Sequence, residues 1–271
     1  MSTDSSAAPS AQTAPSASAS ASASTSTSAS TPPSQDGSLN GAVVLITGAN
    51  GGLGREFVSQ ALARGAVKVY ATARNPQDWD DARVVPLALD VTSEADIASV
   101  AAAAQDTTIV INNAGVSPKD DDALTTPLDA VRRQFEVNVY GPLAINRAFA
   151  PILGANGGGA FIQVHSALSW ASMPAHGAYG ATKAALWSLS NVLRIQLAEQ
   201  GTRVLGLHFG YTDTPMTNGI DSPKNDPADI VRAALDGLDQ GAFEVTADDT
   251  ARRVKSALSS PPEVLYPFLV K

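Results

Sequence analysis

Cysteine is absent from the 271 residues. That excludes disulfides, thiol catalysis and cysteine-ligated metal, and it is compatible with a reducing cytosol, so a cytoplasmic location is expected. Histidine is scarce, and His165, His176 and His208 are scattered, so no metal site is expected. No apolar run approaches the roughly 18 residues that span a bilayer. Positive charge is in deficit, with 18 Lys and Arg against 26 Asp and Glu, a formal net charge of -8 and a pI near 4.8. Nucleic acid and anionic membrane both call for a basic patch, so neither is an expected partner. Before Arg55 there is no Lys or Arg at all, so the start of the chain lacks the positive region of a secretory signal and the arginines of a transit peptide. Residues 1–40 are instead almost entirely Ser, Ala, Thr and Pro, as in SASASASASTSTSAST, with little apolar surface to offset the entropy of ordering. They are expected to form a disordered tail, the alternative being a partner-binding or glycosylated segment.

From Gly41 the pattern changes. Ala42–Ile46 is a continuous apolar run of the kind shown by a parallel strand covered on both faces. A helical stretch to Arg64 follows and stops at Gly65, and Val67–Thr72 reads as a second strand. RVVPLALD gives a third, ending at Asp90, in which Pro86 suits a bulge or an edge. A helix from about Ser93 to Ala104 leads to a fourth strand in TIVINNAG. Pro127 then opens a long helix to about Phe149, with Thr126 as candidate cap. GGGAFIQVHS is a fifth strand, followed by a helix to about Gln200 and a sixth strand at Arg203–Phe209. Another helix opens at Pro227, AFEVTA suits a seventh strand and Asp248–Leu258 a last helix, while the terminal SSPPEVLYPFLVK carries no clear pattern. Such alternation predicts an α/β fold: one doubly wound Rossmann-type domain over 41–271, with a central parallel sheet of six or seven strands.

Two stretches carry chemistry. TGANGGLG, Thr47 to Gly54, follows the first strand and starts a helix, where glycines let the backbone approach a pyrophosphate and the helix end offers free N–H groups. The alternative is a set of glycines needed only for a tight turn. Further on, Tyr179 and Lys183 lie four residues apart and share a helix face, with Ser166 upstream at a strand end. A tyrosine with pKa near 10 holds its proton too tightly to act as a base at neutral pH. An ammonium about 4 Å away, at an effective dielectric of about 20, contributes about 4 kcal/mol, or roughly three pKa units. Tyr179 is therefore expected near neutrality. Alone, such a pair is equally a surface Tyr and Lys on an amphipathic helix.

TGANGGLG, NNAG at Asn112–Gly115, Asn138, Ser166 and YGATK at Tyr179–Lys183 resemble, in order and spacing, the short-chain dehydrogenases/reductases, over about Gly41 to Met216. The resemblance implies a nicotinamide-dependent oxidoreductase acting on a small-molecule carbonyl or alcohol. It places the pyrophosphate against Gly48, Gly52 and Gly54, with Asn50 and Leu53 in the turn. Asp90 and Val91 fall near the adenine, Asn112, Ala114 and Gly115 on the adenine-ribose side, and Thr214 at the carboxamide. Asn113 is assigned only to stabilising the sheet, and Phe209 replaces a usual proline. In the implied reaction Tyr179 is the general acid/base and Ser166 holds the carbonyl oxygen. Lys183 lowers the tyrosine pKa and binds the ribose, and Asn138 keeps a water beside the lysine. Strand two ends in Thr72, Ala73 and Arg74, and an arginine there pairs with a 2'-phosphate, so NADP(H) is favoured over NAD(H). Asp78, Asp80 and Asp81 keep NAD(H) open. Candidate substrate walls are Val116–Lys119, Ser169–Met173 and Tyr211–Ile220, with Trp170, Met173, Tyr211 and Met216 as apolar contributors, and His165 and His176 as lesser candidates. His208 reads as core. The family implies a homodimer or homotetramer, with Leu186, Trp187, Leu189 and Leu193 serving interface or core equally. The alternatives are a regulatory protein that binds NAD(P) without catalysis, and a lyase-type relative without nucleotide.

Overall fold

In the computed structural model of the protein, residues 39–269 are described. The stretch expected to be a disordered tail lies outside them, apart from Leu39 and Asn40. These two belong to the fold: Leu39 is fully buried and its carbonyl accepts a bond from Ala42.

Seven strands form one parallel sheet in the order β3-β2-β1-β4-β5-β6-β7. They are β1 (Val43–Thr47), β2 (Lys68–Ala73), β3 (Val84–Ala88), β4 (Ile109–Asn112), β5 (Gly159–Val164), β6 (Thr202–His208) and β7 (Glu244–Thr246). Continuous apolar runs arise because both faces are covered. Val44 and Ile46 of β1 face one core with Phe57, Val58 and Ile230, while Val43 and Leu45 face the other with Ile97, Ile145 and Phe149. Helices α1 (Gly52–Ala63) and α6 (Pro227–Asp239) cover the first face; α2 (Glu94–Ala103), α4 (Gly141–Ala155) and α5 (Gly177–Gln196) cover the second. Helix α3 (Leu128–Phe135) precedes α4, and the short helices α7 (Asp249–Ser256) and α8 (Pro262–Leu265) and a 3₁₀ turn, Pro267–Leu269, follow β7. Pro86 sits on edge strand β3, where its missing N–H faces no neighbour.

The long helix expected from Pro127 to Phe149 is three pieces. Between α3 and α4 the residues Glu136–Tyr140 form a π-helical turn. Thr126 makes no cap: Pro127 is the N-cap residue of α3, without a side-chain bond, and the preceding turn is held by the Asp122 carboxylate. The pattern-free C-terminal stretch contributes α8, and the Tyr266 hydroxyl accepts a bond from the Ser172 N–H at 3.1 Å. The chain direction across the sheet reverses between β1 and β4, and in open parallel sheets the crevice at such a point is where ligands bind.

Candidate active site

A cavity of about 1250 Å³ opens over the carboxyl ends of the strands. One end is built by the glycine turn. Gly48 and Gly52 take left-handed backbone angles, φ 68° and 52°, which side-chain-bearing residues rarely adopt. Gly51 caps α1 with no side-chain bond and no acidic residue in the first turn, so the helix presents bare N–H groups beside the cavity. Gly48, Asn50, Gly52 and Leu53 line the wall. Gly54 does not: it lies behind the turn, where an added Cβ would fall 2.1 Å from the Gly48 carbonyl oxygen. The residues present therefore fit a dinucleotide pyrophosphate, with a cradle whose glycines leave backbone exposed to it.

Arg74, Asp90 and Val91 line the next portion, and the Asn50 side chain ties the turn to the end of β2 by a 2.7 Å bond to the Asn75 carbonyl. Hydrogen bonds from the Thr92 hydroxyl and N–H hold the Asp90 carboxyl below its usual range, with Arg133 and Arg74 adding to the effect. Arg133, on α3, also lines the cavity. Sequence reading passed over it, because only the packing of α3 brings it beside Asp90.

The two asparagines of NNAG divide differently from the expectation. Asn112 is buried and turned from the cavity, donating to the Asn146 side chain at 2.8 Å. Asn113 and Ala114 line the wall instead. Both of their N–H groups donate to the Thr47 hydroxyl at 3.0 Å, and the Asn113 amide reaches the carbonyls of Thr47 and Gly48. This clamp fixes the spacing between β1 and β4 at the cavity floor. Gly115 lies close to Asn138 and Lys183, where an added Cβ would stand 3.3 Å from Asn138 Oδ1 and 3.9 Å from Lys183 Nζ.

Ser166, Tyr179 and Lys183 also line the cavity, and Thr214 lies against the glycine turn, where a Cβ added at Gly52 would stand 3.2 Å from Thr214 Cγ2. Ser166 caps a 3₁₀ turn, Ala167–Ser169, its hydroxyl accepting from the Leu168 N–H at 3.1 Å. Asn138 sits in the π-helical turn, buried one layer back. Its amide donates to the Val116 carbonyl and the Thr182 hydroxyl, and its oxygen accepts from Val116 N–H at 2.8 Å. Lys183 Nζ donates to the Val164 carbonyl at 2.7 Å and stands 5.6 Å from the centre of the Tyr179 ring.

Electrostatics at the pair run against the expectation. Tyr179 is half-buried and lines the cavity, and desolvation pushes its pKa up to about 12, eased by a hydrogen bond with Ser166. Burial also lowers Lys183, to about 8. Desolvation outweighs attraction here: each pKa moves toward the neutral form, yet at about 8 Lys183 is still mostly an ammonium at neutral pH.

A residue missed by sequence reading holds the tyrosine. Asp121 is fully buried, and its carboxylate accepts the Tyr179 N–H at 2.7 Å and the Gln134 amide at 2.9 Å. His176, the N-cap residue of α5, supplies no side-chain cap, so a carboxylate 58 positions upstream does so. His176 lines the cavity and pairs with the Tyr211 hydroxyl at 2.9 Å. Met173, Tyr211 and Met216 line it as expected, whereas Trp170 is buried behind Ser166, stacked on His208.

Among the described residues no helix is long and apolar enough to cross a membrane. Residues 42–225 match the sequence profile of the short chain dehydrogenase family. A short-chain dehydrogenase/reductase of Pestalotiopsis microspora is 31% identical over 239 residues, 82% of this chain and 83% of that protein. An NADPH-dependent 1-acyldihydroxyacetone phosphate reductase of Schizosaccharomyces pombe is 34% identical over 180 residues, 63% of this chain and 60% of its own. A crystal structure of a short chain dehydrogenase from Burkholderia cenocepacia in complex with NADP superposes with a TM-score of 0.81 at 35% identity, covering 86% of this chain and 99% of that one. Fold, site and these likenesses agree: the chain belongs to the short-chain dehydrogenase/reductase family of oxidoreductases.

Proposed function

We propose that this oxidoreductase reduces a ketone or aldehyde to an alcohol, or runs the reverse reaction, using NADP(H), with Tyr179 as general acid/base. The observation that carries the reading is the meeting, in one cavity, of a glycine-rich phosphate turn and of Ser166, Tyr179 and Lys183. A nicotinamide supplies hydride when bound. The chain's own residues handle the remaining charge and proton. As negative charge grows on the carbonyl oxygen, the Ser166 hydroxyl steadies it and the Tyr179 phenol donates its proton. Lys183, a buried ammonium four residues along the same helix face, offsets the charge of the phenolate left behind, and Asn138 holds the Val116 loop and Thr182 beside it. In the oxidising direction Tyr179 receives the proton.

Arg74 and Arg133 flank Asp90 at the adenine end, and two guanidinium groups there support a 2'-phosphate over a free hydroxyl. The NADP complex of the Burkholderia relative and the NADPH dependence in the name of the yeast relative support the same preference. The substrate end, with Met173, Tyr211 and Met216, supports a small molecule with an apolar portion.

The test is Tyr179→Phe, assayed by NADPH fluorescence titration and by turnover of a carbonyl panel. Binding is expected to be unchanged and turnover to fall by about 10²- to 10⁴-fold, the usual contribution of general acid catalysis. A variant keeping half of the parent's activity overturns the assignment.

A further inference from the structure

Behind Ser166 lies a buried polar cluster that the proposed chemistry does not use. His208, at the end of β6, is wholly buried, and its Nδ1 lies 3.2 Å from the Ser166 carbonyl oxygen. A carbonyl only accepts, so Nδ1 carries the hydrogen. The imidazole is sandwiched between two rings that bracket Ser166 in the chain: His165 at 4.7 Å between centres and 24° between planes, Trp170 at 3.8 Å and 15°. His165 is itself tied to the Ser190 hydroxyl of α5 at 3.2 Å. The segment from His165 to Trp170 is thus gripped at both ends and at the serine carbonyl by one side chain.

We propose that His208 is a positioning residue for the catalytic serine, fixing the Ser166 hydroxyl toward Tyr179 through the Nδ1–H bond to the Ser166 carbonyl and the stack on His165 and Trp170. This rests on the role given to Ser166 above. Every element around the imidazole contributes to holding it neutral or facing it. His165 is the residue after β5, with Lys183 and Arg194 of α5 bearing on it, and Arg194 and Lys255 bear on His208 itself. On β7, Glu244 Oε1 stands 3.8 Å from Nε2, already engaged by Trp187 Nε1 and by Lys255, which lies over the Trp170 ring. Desolvation keeps His208 uncharged well below neutrality. The bond requires a hydrogen on Nδ1, which the neutral Nδ1–H tautomer supplies, so the serine stays anchored across the working pH range. Because the Ser166 bond eases the Tyr179 pKa, loosening the serine also moves the tyrosine.

Two measurements test this. Ring-nitrogen NMR of the wild-type protein should show His208 with hydrogen on Nδ1 and Nε2 bare; hydrogen on Nε2 instead would overturn the proposal without reference to activity. Kinetics then compare His208→Phe, which keeps a ring but no donor, with His208→Asn, whose amide nitrogen reproduces the Nδ1 donor. His208→Phe should lose about tenfold or more in kcat, the scale of one hydrogen bond, with NADPH affinity unchanged and the alkaline limb of the kcat/KM profile moved upward. His208→Asn should restore most of the kcat and the parental pH profile. A His208→Phe enzyme with parental kcat, or a pair of variants equally impaired with unmoved pH profiles, overturns the positioning role. Should Tyr179→Phe stay active, it is the catalytic reading that falls, while the NMR result still decides the His208 bond.

Discussion

The glycine turn offers a prediction in which stability and ligand binding separate cleanly. An alanine methyl at Gly54 would lie 2.1 Å from the Gly48 oxygen, 2.9 Å from Ala49 Cα and 2.9 Å from the Asn113 amide nitrogen. Two of these atoms are backbone and the third is held by the Thr47 and Gly48 carbonyls, so none can swing aside. The first turn of α1 must move away from β1, an overpacking that costs about 1–3 kcal/mol. For a domain of this size that lowers Tm by about 2–4 °C per kcal/mol. Moving α1 also tilts the N–H groups that face the cavity, so NADPH affinity should fall with stability. Gly51→Ala is the control. Its backbone is extended, φ -166° and ψ 178°, and nothing lies within 4 Å of the added carbon. Its stability should stay within about 0.5 kcal/mol of the parent. Urea denaturation and fluorescence titration of both variants give the answer. A Gly54→Ala protein as stable as the parent, or a Gly51→Ala protein equally destabilised, would refute close packing as the reason for glycine at Gly54.

Three further expectations follow from other contacts. Asp121→Ala leaves the Tyr179 N–H and the Gln134 amide without their buried acceptor, so it should cost about 2–4 kcal/mol in urea unfolding and lower kcat with little change in NADPH affinity. Arg74→Ala should weaken NADPH more than NADH, and Arg74→Ala with Arg133→Ala more again; equal losses for the two nucleotides in titration would remove the 2'-phosphate role. His208 has its folded pKa lowered to about 4, against about 6.5 for an unfolded histidine. As pH falls below about 6.5 the unfolded chain takes up a proton that the folded one refuses, so stability is complete above that value and declines down to about pH 4. By linkage this histidine alone makes the protein about 2 kcal/mol less stable at pH 5 than at pH 7, and His208→Asn should flatten that slope in urea midpoints.

The strands and their order of appearance were legible because a doubly covered strand is an uninterrupted apolar run. That same property hid the parity of β4. A strand with one wet face advertises by alternation which side chains face the core, but Ile109–Asn112 is buried throughout. Nothing in the run says whether Asn112 or Asn113 meets the turn; the Thr47 hydroxyl, which collects the N–H groups of Asn113 and Ala114, decides it. The π-helical turn was hidden for a related reason. Its residues, EVNVY, suit a continuing helix, and the extra residue is accommodated because Asn138 is anchored sideways to Val116 and Thr182.

For the Tyr179 and Lys183 pair, sequence spacing supplied the neighbourhood and not the balance of forces. Four residues along a helix set two side chains on one face, and a Coulomb argument then assigns the ammonium to the phenolate. Lys183 instead spends its hydrogen bond on the Val164 carbonyl, and enclosure acts on both groups at once, raising the phenol and lowering the amine. The pull toward neutral forms has a chemical sense. A site that waits with the Tyr179 proton in place already holds what a carbonyl oxygen needs as it accepts hydride. Alcohol oxidation needs the phenolate first, and burial opposes forming it. If Tyr179 has the proposed role, oxidation should therefore quicken as the pH rises while reduction needs no phenolate, which paired rate measurements in the two directions across pH would reveal.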